Sequence, residues 1–331
     1  MFHAVGQGRG GRAPGTGGGG GDLRVDMSTQ EVRADPCRVA CARTTSFTEA
    51  LVEHRGEDAR EVDLRTDRAH GARIYDYILG GKDNFAADRE AGENSLRIWP
   101  ALRAHMQANR QFMHRVARFL AAEHGIRQFL DIGTGLPTSP NLHEVVQSVD
   151  PTARVVYTDN DPLVLTHARA LMVGTAQGRT AYVAADMRDP QAIISAPELL
   201  RTLDLNQPVG LLLIAVVHFI EDDAVAQQVV RQVLDVLPAG SYLAMSIATD
   251  EFDPIPLAEV QQEYNRLGET LVFRHRAAAL AFFDGLELVE PGLVQVHKWR
   301  PDGSQDPGVA DKDIAMYGAV ARKVVNRSRR P

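Results

Sequence analysis

"FLDIGTGLPTSP" (residues 129–140) sets two apolar residues, an acid and two glycines one residue apart ahead of a proline-flanked Thr-Ser. A buried strand that ends on a carboxylate and runs into a double-glycine turn is a junction built to meet a ligand. Lacking a Cβ, Gly133 and Gly135 let the backbone bend tightly and let a ligand come close to it. Ser139 is expected to cap the helix that follows, with Pro140 in its first turn, where a missing N–H does no harm.

The same rhythm recurs downstream. "RQFLDIG" (127–133), "RVVYTDND" (154–161), "TAYVAADM" (180–187) and "VGLLLIAVVHF" (209–219) are short apolar runs that end in polar or acidic residues, and "GSYLAMSIAT" (240–249) is a fifth. Helical stretches over 140–149, 162–173, 190–201 and 222–237 separate them. Alternation of this kind, with strands apolar on both faces, predicts an α/β fold with a parallel, Rossmann-like, doubly wound sheet. After a helical region over 256–283, "LELVEPGLVQVHKWR" (286–300) and "AMYGAVARKVV" (315–325) read as two more strands. The long polar connection between them suits an antiparallel pair closing the sheet edge. Upstream, Leu96, Trp99, Leu102, Met106, Met113, Val116, Phe119 and Leu120 fall at helical spacing, with a break at Pro100 and a stop at Gly125.

In an open α/β sheet the ligand sits at the carboxyl ends of the strands, so Asp131, Asp159, Asp186 and His218 are the residues to weigh. A dinucleotide fingerprint would need Gly or Ala where Thr138 stands, and no G-K-[ST] serves a triphosphate. Asp131, two residues before the first glycine, would repel a pyrophosphate but can hold an ammonium. S-adenosylmethionine, with an amino-acid end, a ribose and an adenine, is the ligand that fits. Asp159 is placed to accept the ribose hydroxyls, while Asp161 beside Pro162 reads as a helix N-cap. Asp186 is placed for the adenine amine, with Met187 against the ring. Thr134, Asn160 and Ala215, beside these positions, complete the expected cofactor wall.

"ARIYDYILGGKDNFAADRE", "FLDIGTGLPTSPNLHEV", "RVVYTDNDPLVLTHARAL", "AADMRDP", "VVHFIEDD" and "FFDGLELVEPGLVQVHKWRPD" together resemble the class I S-adenosylmethionine-dependent methyltransferases. They are most similar to an actinobacterial group of them first catalogued as a domain of unknown function. The resemblance covers about residues 62–325 and implies the seven-stranded methyltransferase sheet, with its last strand antiparallel, and the cofactor roles above. Pro137 stands where a third glycine is common in the class. The resemblance includes "RIYDYILGGKDNF" (73–85), which is expected to form a lid with Tyr75 and Lys82 or Asn84 near the cofactor's carboxylate. His218 is the candidate base, with an ordinary imidazole pKa near ~6.5.

Composition narrows the rest. A net charge of −7 over 331 residues argues against a general nucleic-acid surface. The longest apolar run (209–220) is shorter than the roughly 20 residues a bilayer span takes, and the N-terminus lacks a signal-peptide core. Cys37 and Cys41, a C-x3-C without nearby histidine or cysteine partners, are a poor zinc site, so no metal is expected. A cytoplasmic chain is the expectation. Residues 1–60 read as a disordered Gly-rich tail, and the true start could be Met27. Residues 61–126 read as a helical cover, 127–325 as the S-adenosylmethionine-binding domain and 326–331 as a basic tail. The function read from the sequence is methyl transfer to a small molecule, with oxygen slightly favoured as the acceptor atom. A non-catalytic S-adenosylmethionine-binding protein is one alternative. A nicotinamide-dependent oxidoreductase is the other, opposed by Asp131 and Thr138.

Overall fold

Residues 66–171, 174–304, 306 and 308–325 are described by the computed structural model. The expected Gly-rich tail, the Cys37–Cys41 pair and the basic tail lie outside them. Five parallel strands come from the five apolar runs: β1 (Gln128–Ile132), β2 (Arg154–Asp159), β3 (Arg179–Ala184), β4 (Gly210–Ile214) and β5 (Tyr242–Ala248). They lie in the order β3-β2-β1-β4-β5. Antiparallel to β5 runs β8 (Met316–Arg322). The run 286–300 forms two stubs, β6 (Glu287–Leu288) and β7 (Val294–Gln295), both antiparallel to β8. Pro291 has no N–H for a ladder and Gly292 takes φ +78°, so the chain turns out of the sheet between the stubs. The expected sixth strand is therefore present but interrupted.

Alternation along the central strands feeds two cores, one on each face. Phe129, Val155, Tyr157 and Leu212 pack toward the helix Leu102–Ala122 and Trp299. Leu130, Ile132, Val156, Leu211 and Leu213 pack toward the opposite helices. Period-2 burial on both sides is what near-continuous apolar strands require.

Three helices precede the sheet: α1 (Gly71–Ile78), α2 (Ala86–Ile98) and α3 (Leu102–Ala122), with the break at Trp99–Ala101 beside Pro100. Between the strands come α4 (Leu142–Val149), α5 (Pro162–Leu171), α6 (Pro190–Ile194), α7 (Pro197–Thr202) and α8 (Asp223–Val236). The expected helix 190–201 is two, because Pro197 starts a new one. The helical region 256–283 likewise resolves into α9 (Pro254–Arg266) and α10 (Arg276–Ala281), joined by a non-helical segment. Ile74 of α1, Leu102 and Met106 of α3, and Trp99 in the break before α3 share one apolar cluster with Leu257, Val260 and Tyr264 of α9. Among the described residues no helix is long and apolar enough to cross a membrane.

The long helix α3 is fastened to the sheet edge by a buried cation. Arg115 donates from Nε to the Trp299 carbonyl at 2.9 Å and from Nη2 to the Val296 carbonyl at 2.7 Å. Replacing Arg115 with Met removes the side-chain donor from both carbonyls and leaves Val296 only the Trp299 N–H at 3.4 Å, at a cost of roughly 2–3 kcal/mol. A thermal melt of R115M with an unchanged midpoint would show that this fastening does not matter.

Candidate functional site

Strand order reverses between β1 and β4, and there a cavity of about 510 Å³ opens beyond their carboxyl ends. Its floor is the glycine turn. Gly133 has φ +74°, and a Cβ on it would lie 2.3 Å from Cγ2 of Val216, so packing and backbone both demand glycine. Gly135 has φ +68°, and a Cβ there would meet nothing within 4 Å. The second glycine leaves open space where the first fills a crowded one.

Asp159 ties this turn to the neighbouring strand. Its Oδ2 accepts from the Gly135 N–H at 2.8 Å and its Oδ1 from the Asp161 N–H at 2.9 Å. Burial pushes its pKa up, and those two hydrogen bonds oppose the rise. Asp161 accepts from the Leu163 N–H at 2.9 Å, the capping contact its place before Pro162 suggested. Its other oxygen lies 3.2 Å from Nδ1 of His70 and 3.5 Å from Nε of Arg73, so α1 is clasped to the end of β2.

Beyond Gly135 the expected cap is corrected. Asn141, not Ser139, starts α4: its side chain accepts from the Thr138 N–H at 3.0 Å, and Glu144 accepts from the Asn141 N–H. Pro140 therefore lies before the helix. Arg110 of α3 donates to the carbonyls of Thr138 and Pro140, and the His114 ring is 2.9 Å from the latter. The loop that lacks a third glycine is shaped by α3.

The expected cofactor residues divide clearly. Tyr75, Asp131, Gly133, Thr134, Gly135, Asp159, Asn160, Asp186, Met187 and Ala215 all line the cavity. Asp131 is buried, and desolvation raises its pKa to about 7. Asp186 goes the other way, to about 2, because Arg188 and Asn160 donate to it. Ala215 takes φ +54°, with its N–H donating to Ser246 Oγ at 2.8 Å. Lys82 and Asn84 do not line the cavity. Lys82 is exposed, and the Asn84 amide donates to Asp76 Oδ2 at 2.8 Å and to the Gly81 carbonyl at 3.1 Å. The Gly-Gly bend folds this stretch around the buried Asp76 rather than toward the ligand.

Sequence reasoning missed the polar residues of α3 on the same wall. Asn109 is buried and its Oδ1 has no hydrogen-bond partner, while its amide lies 3.4 Å from the Tyr75 hydroxyl. Burial lowers the pKa of Arg110, and nearby Tyr75 and Asp131 oppose that fall. His105 accepts the Ala315 N–H on Nδ1 at 3.1 Å. The only signal was a polar interruption, "HMQANR", within an apolar helical stripe.

His218 lines the cavity from a 3-10 turn, Val217–Phe219, just after β4. Arg274 clamps that turn by donating to the carbonyls of Val217 and Ile220 at 3.1 and 2.7 Å. The expectation of an ordinary imidazole pKa fails: burial, then Arg274 and His105, lower it to about 3. The ring is therefore neutral throughout the physiological range. Its Nδ1 is buried without a hydrogen-bond partner.

A family model described as S-adenosyl methyltransferase matches residues 57–324. A DUF574 family protein from Streptomyces avermitilis is 59% identical, over 78% of this chain and 99% of that one, with a TM-score of 0.77. A candidate methyltransferase from Thermobifida fusca is 38% identical, over 81% of this chain and 100% of its own, with a TM-score of 0.73. A search of curated proteins finds no match.

The two glycines should separate by experiment. G133A should lower stability by roughly 1–3 kcal/mol through overpacking and the left-handed backbone. G135A should cost about 1 kcal/mol for the backbone alone, yet weaken S-adenosylhomocysteine binding at least about tenfold, because its methyl enters the ligand's space. Equal stability losses with unchanged affinity in G135A would mean that the turn does not face a ligand.

Proposed function

The chain belongs to the S-adenosyl methyltransferase family, and from that membership we propose that it methylates a small molecule on oxygen. The main support is a single cavity that holds two buried carboxylates at the ends of adjacent strands together with a neutral histidine. When bound, S-adenosylmethionine supplies a methyl group already activated on its sulfonium, so alignment and exclusion of water are the protein's main tasks.

The residues fit that cofactor. Asp131 and the unpartnered Oδ1 of Asn109 can take the ammonium, and Arg110 can take the carboxylate. Asp159 keeps lone pairs for the ribose hydroxyls after accepting its two backbone N–H groups. Asp186 takes the adenine amine, with Met187 packed on the ring. Open space above Gly135 is what close approach of the ligand to the backbone needs.

His218 serves as the proton acceptor at Nε2. Its low basicity suits a late transfer: an oxygen that has gained a methyl sheds its proton to even a weak base. Arg274 and burial keep the imidazole neutral and ready to accept.

Calorimetry with S-adenosylhomocysteine tests the cofactor half. D159N should bind about 10-fold to 100-fold more weakly, as expected for losing hydrogen bonds to a charged group. Unchanged affinity would remove Asp159 from the site. Affinity should also depend on pH through Asp131. The free protein holds a proton there below about 7, and an ammonium ligand needs the ionised form. Binding should therefore weaken as pH falls below 7, by up to about tenfold per unit, and D131N should flatten the profile. A profile just as steep in D131N would place the titrating group elsewhere.

A further inference from the structure

The part of the cavity away from the glycine turn is walled by Trp99, Leu102, Met106, Leu257, Val260 and Phe273. Two buried histidines, His105 and His218, stand in that apolar wall, 7% and 6% exposed. The proton on His105 is placed by the backbone. Because Nδ1 accepts the Ala315 N–H, the neutral ring carries its hydrogen on Nε2 and can only donate from there. Burial lowers the His105 pKa to about 4, so the ring is neutral as well. Among the described residues neither His105 Nε2 nor His218 Nε2 forms a hydrogen bond, and Nδ1 of His218 is buried without a partner. The rings are near enough for His105 to disfavour a proton on His218, after burial and Arg274.

A fixed N–H donor and a free imidazole nitrogen in one largely apolar wall form a matched pair for a group that both accepts and donates. A hydroxyl does both. The pair itself offers a carboxylate no cation and an ammonium no anion, so a charged group there would give up its hydration for neutral partners, although the half-buried Glu269 also lines the cavity. Building on the methyltransferase reading above, we propose that this compartment selects a neutral, largely apolar, ring-bearing alcohol or phenol. The acceptor's oxygen takes the His105 Nε2–H and gives its own hydrogen to Nε2 of His218, in the tautomer protonated on Nδ1.

Three probes that share one bicyclic skeleton test this: 2-naphthol (neutral hydroxyl), 2-naphthoate (anion) and 2-(aminomethyl)naphthalene (cation). Each is titrated by calorimetry at pH 7.5 into protein saturated with S-adenosylhomocysteine. 2-Naphthol should bind at least about tenfold tighter than either charged probe. H105F should weaken 2-naphthol about tenfold without moving S-adenosylhomocysteine affinity, whereas H105Q, which keeps an amide donor, should retain most of the binding. Naphthoate or the ammonium probe binding as well as 2-naphthol would overturn the inference. So would no binding of 2-naphthol, or an unaltered 2-naphthol affinity in H105F. Wild-type selectivity decides the matter even where a variant does not fold. Failure of S-adenosylhomocysteine itself to bind would fell the cofactor reading on which the inference rests.

Discussion

One carboxylate holds the site in shape. Asp159 ends β2, yet both of its oxygens accept backbone N–H groups, one from the glycine turn after β1 and one from the start of α5. Two neighbouring βα junctions are thereby joined beside the crevice where strand order reverses. A buried acid is costly unless its oxygens are hydrogen-bonded, and here the backbone supplies those bonds. The same group that fixes the turn can then face a ligand with its remaining lone pairs.

Much of this architecture could be read from the chain. Apolar runs of five or six residues with Asp131, Asp159 and Asp186 at or just past their ends define the first three strands, and the two glycines define the turn. Strand identity depends on periodicity and burial, which are local properties. What escaped was set by contacts between residues distant in sequence. Asn109, Arg110 and His105 sit on a helix whose apolar spacing conceals the polar face it turns to the cavity. Lys82 and Asn84 were expected near the ligand because the family resemblance includes the stretch that holds them. Their placement was decided by the buried Asp76, which accepts from Asn84 and from the Asp83 N–H. The His218 pKa also could not be read locally, since its environment includes Arg274 and His105, 56 and 113 positions away in the chain.

The polar inventory of the cavity is sorted by charge. Carboxylates and Arg110 gather around the strand ends and the glycine loop, whereas the compartment between α1–α3 and α9 offers neutral imidazoles in an apolar wall. On the function proposed above, such sorting would separate the task of holding a charged cofactor from that of admitting an acceptor. It also explains why cofactor chemistry is more visible in the sequence than acceptor chemistry. Charged residues at strand ends stand out, but neutral histidines on apolar surfaces look like ordinary core.

The fastening of the post-glycine loop by Arg110 and His114 bears on how such a protein can be rebuilt. Thr138 and Pro140 give their carbonyls to α3, so the loop takes its course from a helix that precedes the whole sheet in the chain. The helical cover is thus not an interchangeable module. A chimera joining this sheet to a foreign cover would inherit the glycines and the acids but lose the scaffold that bends the backbone between them. Exchange of acceptor preference by grafting would have to carry α3 and residues 133–141 together as one piece.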